Sequence, residues 1–120
     1  TRLTLQSEPA YYVPSVNWLV RDLPADAYVR IYVIRQEATN TAYVCGGVPR
    51  QETYPFSRWS QGETVFFDEC VMSIPPDAPK GEYVVSVGVR DTNGLWLSAV
   101  DASGAVIESG LIPISTLTLE

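Results

Sequence analysis

Histidine is absent from the 120 residues, and lysine occurs once, at Lys80. Without histidine the chain lacks the usual general base near neutral pH, the commonest zinc ligand, and the partner of every Ser-His or Cys-His nucleophile pair. Hydrolytic triads of this kind are therefore excluded. The arginines are scattered singly and the formal net charge is −6, so the sequence has no basic stripe and we expect no nucleic-acid partner.

Long apolar runs are missing as well. No segment approaches the roughly 18 consecutive apolar residues of a membrane-spanning helix, and the start Thr1-Arg2-Leu3 lacks the sections of a signal peptide. We therefore expect a soluble segment that does not insert into a membrane, although a leader could have been removed from it. With 46% hydrophobic and 18% charged residues the composition is that of a folded chain, and its length fits one domain over residues 1–120.

Cysteine occurs only twice, at Cys45 and Cys70. Their spacing is not that of a C-x-x-C redox or metal pair. Each cysteine lies in a strand-like segment, so we favour a disulfide between adjacent strands, which implies an exported protein, extracellular or at the cell surface. The alternative is two buried free thiols that behave as small apolar side chains.

Alternation of apolar and polar residues is the most abundant pattern in the chain. It is most regular in residues 83–90, and in residues 28–35 the predicted core face carries Val29, Ile31 and Val33. Residues 91–94, Asp-Thr-Asn-Gly, predict a hairpin turn, and Pro14 interrupts the apolar run of residues 11–20. About seven to nine strands with turns roughly every 8–12 residues predict an all-β fold, a single-domain immunoglobulin-like antiparallel β-sandwich.

The second half of the chain also has a recognisable order of motifs: Trp59-x-x-Gly62-Glu63, a strand with Asp68, Ile74-Pro75-x-Asp77-Ala78-Pro79-x-Gly81-x-Tyr83, and Val87-Gly88-Val89-Arg90-Asp91. Over residues 54–116 this order resembles the small C-terminal β-sandwich modules of exported bacterial and archaeal proteins, whose parents are membrane glycosyltransferase-like or secreted glycoside-hydrolase-like. The resemblance implies a non-catalytic accessory or interaction module. The chain departs from that pattern at Pro14-Ser15, where Pro-Gly is expected, and in its cysteine pair.

Two carboxylates could still perform glycoside hydrolysis without histidine. The candidates are Glu63, Asp68, Glu69, Asp77 and Glu82. Glu63 and Glu82 lie in turn contexts, where a solvated or turn-capping carboxylate is the ordinary explanation, and a sandwich of this length offers little depth for a substrate cleft. We therefore predict that the chain is not an enzyme.

Calcium is the one metal that the loops suggest, because carboxylate and carbonyl oxygens are its ligands. Asp91 and Asn93 share one turn, and Asp101 follows a short distance downstream. The alternative is that Asp-x-Asn-Gly is simply the chemistry of a tight hairpin. The same choice applies to Asp22 and Asp26, and no other cofactor is predicted.

Carbohydrate binding is the leading specific hypothesis, because a sugar stacks on exposed aromatic rings. The predicted ligand-binding residues are Tyr54, Arg58 and Trp59 in a long loop, together with Trp96 beside the turn at residues 91–94. The partner would then be a polysaccharide or glycan. The alternative for each ring is the core, since a sandwich of this size usually buries at least one tryptophan.

The rival hypothesis is a structural or self-assembling domain that pairs with another protein domain through its sheet edges or terminal strands. Leu3 and Leu5 at one end and residues 111–119 at the other are apolar. With a single lysine, the sheet edges have little of the charge that discourages such pairing. The two hypotheses predict different behaviour, namely retention on a polysaccharide or the formation of oligomers.

Overall fold

The computed structural model describes residues 1–20, 29–49, 55, 58–91, 93–107 and 109–120. All the regular elements in that part of the chain are β-strands, which confirms the all-β prediction. They are β1 (Arg2–Leu3), β2 (Ala10–Tyr12), β3 (Ser15–Leu19), β4 (Val29–Gln36), β5 (Thr41–Gly47), β6 (Thr64–Glu69), β7 (Met72–Ile74), β8 (Gly81–Arg90), β9 (Ala99–Val100), β10 (Val106–Ile107) and β11 (Ile112–Leu119). No helix among these residues has the length and apolar character needed to cross a bilayer.

Eleven strands in the described residues exceed the predicted seven to nine. Part of the excess arises because two apolar runs are each divided, one that the sequence predicts to be interrupted and one, at residues 65–74, that it predicts as a single strand. The run at residues 11–20 is broken at Val13-Pro14, as the proline predicts, and the run at residues 65–74 is broken at Cys70-Val71. The remainder comes from very short strands that propensity alone does not reveal.

Five strands form the large sheet, in the order β1-β11-β8-β4-β5. The pairs within it are antiparallel except β1 with β11, which is parallel. The central strand β8 pairs Val87 with Tyr32 of β4 on one side and with Ile112 of β11 on the other. The two ends of the chain therefore pair with each other, and β11 lies between two neighbours instead of at a free edge.

The second layer, here called the ribbon, consists of two antiparallel pairs in line, β2 with β7 and β3 with β6. The break at Pro14 is bridged because the backbone N–H of Cys70 donates to the Pro14 carbonyl over 3.2 Å. The large sheet and the ribbon pack face to face around a common core of buried side chains that includes Ile34, Met72, Tyr83 and Leu117. We call the sheet face toward the ribbon the inner face and the opposite one the outer face.

The predicted core face of β4 is wrong. Arg30, Tyr32 and Ile34 are buried on the inner face. Of the predicted residues on the outer face, Ile31 is buried, with 8% exposure, whereas Val29 and Val33 are partly exposed. The alternation was identified correctly. The charge of Arg30 made its own face, which is the inner one, look like the solvent side. The outer face of β4 consequently carries three aliphatic side chains that do not belong to the main core, followed by exposed Arg35.

Arg30 is buried because its guanidinium has a complete set of partners between the layers. It is 1% exposed and pairs with Asp68, which is 0% exposed, at 3.1 Å. Its other N–H groups donate to the carbonyls of Gly47 and Glu69. The Trp18 indole N–H donates to the second carboxylate oxygen of Asp68 over 2.7 Å. The charges thus leave water with their hydrogen bonds satisfied.

Tyr32 lies beside this ion pair on the same strand. Its hydroxyl donates to the backbone carbonyl of Asp68, and the Arg30 guanidinium carbon lies 5.4 Å from its ring centre. Burial, followed by the negative charge of Asp68, raises the pKa of Tyr32 above its ordinary value. The phenol therefore remains a neutral donor.

The predicted disulfide is present between Cys45 of β5 and Cys70 at the break between β6 and β7, with a Cα–Cα distance of 6.2 Å. The alternative of two free thiols is therefore wrong. The bond connects the edge of the large sheet to the ribbon. A link of this kind fits an oxidising environment.

Removing the disulfide should lower the free energy of unfolding. For Cys45→Ala/Cys70→Ala we expect a loss of roughly 3.5 kcal/mol, because the chain-entropy treatment assigns that cost to a loop of this length. Urea unfolding followed by far-ultraviolet dichroism measures the loss. Wild type in reducing agent is the control and should unfold near the double variant; coincidence of the variant with oxidised wild type would contradict the expectation.

Breaking the buried ion pair should be more costly than removing an exposed carboxylate. Asp68→Asn leaves the Arg30 charge unpaired, for which we expect a loss of about 3–5 kcal/mol, while exposed Asp77→Asn should change stability by less than about 0.5 kcal/mol. In Arg30→Met/Asp68→Leu both charges are gone, so most of the loss should be recovered. Chemical denaturation of the four proteins tests this, and equal stability of the two asparagine variants would show that the pair is unimportant.

Candidate functional site

Trp59 is a core residue and cannot serve as an open stacking platform. It is 7% exposed and packs with Val20 and Val65, and its ring centre lies 6.2 Å from that of Trp18. This corrects the prediction that Trp59 binds a ligand. The physical reason is that the apolar ring fills a second, smaller core beneath the end of the ribbon.

The Trp-x-x-Gly-Glu motif builds the corner around this small core. The Glu63 carboxylate accepts the backbone N–H of Ser60 over 2.7 Å, and the backbones of Gly62 and Glu63 bond to Val20. These contacts give the motif a structural role. Arg58, which the sequence places in the same site, is exposed, while Tyr54 lies outside the described residues.

Trp96, the other predicted tryptophan, lies on the outer face. It pairs with Arg90 at the end of β8 and is 38% exposed. Its ring lies over Gly88, where an added Cβ would be 2.9 Å from the indole Cζ3, and a Cβ added to Gly110 would lie 2.9 Å from the Cβ of Trp96. The Arg90 guanidinium carbon is 5.8 Å from the ring centre. Two glycines therefore make room for this ring against the sheet.

The carboxylates predicted to bind calcium, those of Asp91 and Asp101, accept backbone hydrogen bonds within their own turns. One oxygen of Asp91 accepts the backbone N–H groups of Asn93 and Leu95, at 2.9 and 3.0 Å. One oxygen of Asp101 accepts the backbone N–H groups of Ser103 and Ala105, at 2.9 and 3.1 Å. Each carboxylate thus stabilises its own turn.

Hydrogen bonding also changes the acidity of Asp101. The Ser103 hydroxyl, followed by the backbone N–H groups of Ala105 and Ser103, lowers the pKa of its carboxyl below the ordinary value, so this side chain stays negative at neutral pH. In the part of the chain that the structure describes, no three His, Cys, Asp or Glu side chains come together as a metal site. Calcium binding therefore stays a prediction.

A groove of about 810 Å³ lies between the outer face of the large sheet and the connection from β8 to β11. We call that connection, residues 91–111, the overhang, and the space beneath it the sheet groove. Its volume falls within the roughly 300–1,000 Å³ of ligand pockets. Its lining comes from β4 and the turn after it, β8, the overhang and the start of β11: Val33, Arg35, Gln36, Glu37, Ala38, Glu82, Val84, Ser86, Asp101, Ile107, Ser109, Leu111 and Pro113.

Strand register explains the floor of the sheet groove. Val33 pairs with Ser86 and Arg35 pairs with Val84, so Val33 and Val84 are diagonal neighbours on the outer face. Pro113 of β11 pairs with Ser86 from the other side. The centre of the floor is therefore aliphatic, with one hydroxyl among the apolar side chains.

Charged side chains surround this floor. Three carboxylates, those of Glu37, Glu82 and Asp101, and one guanidinium, that of Arg35, give the lining a net charge of −2. Arg35 donates to the Asn40 side-chain oxygen over 2.8 Å, which holds its guanidinium toward the turn between β4 and β5. The rim is consequently acidic.

Trp96 borders the same groove. Gly88 beneath the indole is the next outward-facing position after Ser86 on β8, and Gly110 lies between the lining residues Ser109 and Leu111. Of the residues predicted from the sequence, Asp101 lines the groove and Trp96 lies at its end. The structure does not place Arg58 or Trp59 among its lining.

Sequence reasoning missed the floor. Val84 lies among the even-numbered positions of β8, which include Glu82, Ser86 and Arg90 and therefore predict a solvent face. The signal that could have revealed it is the apolar side chain at a position where the pattern calls for a polar one. The groove can bind a partner through apolar contact and charge, with an acidic rim and hydroxyls as its polar groups.

No protein-family model matches the sequence, and no curated protein or solved structure matches it either.

Proposed function

We propose that this chain is a non-catalytic accessory module that holds a segment of another polypeptide in the sheet groove. The observation that carries the proposal is the aliphatic floor formed by Val33, Val84 and Pro113 beneath an overhang that is itself apolar on its outside. Contiguous exposed apolar surface of this kind is typical of interaction sites.

The overhang supports a protein partner. Leu95, Val100 and Val106 are exposed, Val106 by 70%, although leucine and valine gain from burial. Together with Trp96 they belong to the connection between β8 and β11. Aliphatic surface with a neighbouring half-exposed tryptophan is suited to the side chains of a polypeptide, which bury apolar area on both partners.

A glycan is the second candidate, and the observation in its favour is Trp96. Its ring is partly open at the end of the groove, with carboxylates and hydroxyls nearby that could bond to sugar hydroxyls. We rank it second because a sugar needs exposed aromatic rings to stack on, and Trp59 is buried in the smaller core. The floor offers methyl groups where a sugar-binding site would have rings.

The proposal also covers the location of the module, its scaffold and the kind of protein to which it belongs. The disulfide supports export to the cell surface or beyond it. The strand order β1-β11-β8-β4-β5, facing a ribbon of β2, β3, β6 and β7, supports an immunoglobulin-like sandwich as the scaffold. An accessory module of an exported parent, as the motifs of residues 54–116 suggest, would use such a scaffold to present the groove.

Self-assembly through the terminal strands receives less support. β11 is paired on both sides, and Leu5 and Glu120 bond through their backbones over 2.8 Å. The apolar termini on which that hypothesis rested therefore bond to each other. The sheet edges that remain for an oligomer are those of β1 and β5, the outer strands of the large sheet.

A peptide-display selection with matched variants tests the proposed function. Linear peptides selected on wild type should lose at least about tenfold in affinity for Val84→Lys, because burying a valine side chain is worth about that factor. Val13→Lys is the control: Val13 lies at the break between β2 and β3 of the ribbon, is 41% exposed against 43% for Val84, and does not line the groove. Its affinity should equal that of wild type.

Wild type and Trp96→Ala on a glycan array separate the peptide and glycan candidates. Glycan retention that Trp96→Ala abolishes, without peptide enrichment, would favour sugar binding instead. Peptides that bind wild type and Val84→Lys equally would show that the sheet groove is not the site. Analytical ultracentrifugation of the ligand-free protein shows whether oligomers form independently of either ligand.

A further inference from the structure

We propose that the segment held in the sheet groove is extended and alternates apolar residues with lysine or arginine. This inference rests on the proposed function and adds the chemistry of the partner. It comes from two properties of the lining, the charge of its rim and the spacing of its floor.

The rim carboxylates have no cationic partner in the described part of the chain. The ion pairs there are Arg2 with Glu120 and Arg30 with Asp68, neither of which belongs to the groove. Arg35 is the cation of the lining that the structure describes, and it bonds to Asn40 instead of pairing with Glu37, Glu82 or Asp101. The rim therefore keeps its net charge of −2, and Asp101 remains ionised through its turn hydrogen bonds. A cationic partner would complement this rim, whereas an acidic one would add like charge to it.

The floor favours an extended partner. Val33 and Val84 are diagonal neighbours on paired strands, a separation of about 7–8 Å. An extended segment presents every second side chain to the same side at about 6.6–7 Å, which is close to that separation. Its apolar residues can contact the valines, while the long stems of the intervening lysines or arginines reach the rim.

The net charge of the whole chain also favours a cationic partner. A formal net charge of −6 attracts cationic segments and repels acidic ones before contact. Such attraction is weakened by salt, so binding of the inferred partner should depend on ionic strength. A purely apolar partner would bind equally well at low and high salt.

The test uses two synthetic peptides of equal length, acetylated and amidated: Lys-Val-Lys-Val-Lys-Val and Glu-Val-Glu-Val-Glu-Val. Each is titrated into the full ¹⁵N-labelled chain. The lysine peptide should shift the amide signals of Val33, Val84 and Ser86, with an affinity that falls as salt is raised. The glutamate peptide should leave these signals unchanged.

Charge variants locate the effect. In Glu37→Gln/Glu82→Gln the affinity for the lysine peptide should fall about five- to tenfold, in line with two exposed ion pairs. The control Glu8→Gln/Asp77→Asn removes the same charge from two exposed side chains that do not line the groove. Its affinity should stay within about twofold of wild type, because the net charge alone is then the only change.

Each remaining outcome counts against the inference. Equal binding of the two peptides, or an equal effect of the two double variants, would overturn the basic partner while leaving the groove as a site for display-selected peptides. Absence of any shift from the lysine peptide would also overturn it. The proposed function itself fails separately, when display-selected peptides bind Val84→Lys as tightly as wild type.

Discussion

A buried guanidinium and a buried carboxylate hold the register of this sandwich. Arg30 lies on the inner face of β4 only because Asp68 of the ribbon accepts its charge there, with Trp18 bonded to the same carboxylate. Sliding β4 by one residue would turn every side chain to the opposite face. Asp68 would then remain buried without its cation, which costs about 3–5 kcal/mol, so the pair disfavours that alternative.

The sheet groove is a consequence of this register. With Arg30, Tyr32 and Ile34 directed into the core, the outer face of β4 receives Val33 and Arg35. On β4, the charged side chain of Arg30 therefore lies on the inner face and the aliphatic side chain of Val33 on the outer face. The groove exists because the core does not use all the apolar residues of its central strands.

The sequence predicts the strands of this protein better than their faces. Residues 83–90 and the turn at Asp91 follow from local alternation and turn chemistry, and the Cys45–Cys70 bond follows from composition and spacing. The burial of Arg30 does not, because a long-range partner 38 residues away decides it. For the same reason the groove itself was not predicted: local signals singled out Trp96 for a sugar and Asp101 for calcium, whereas the floor requires the topology.

The groove has a floor of paired strands and a roof of connecting chain, and these two parts differ in how freely they can change. Val33 and Val84 belong to strands whose opposite sides form the core, so their backbone positions are fixed by packing. The overhang between β8 and β11 has its own short hairpin, β9 with β10, and few ties to that core. Mutation and even insertion in a surface connection are tolerated far better than in a packed strand. If the sheet groove binds a partner as proposed, changes in the overhang would alter what it accepts while the packed strands beneath it stay the same.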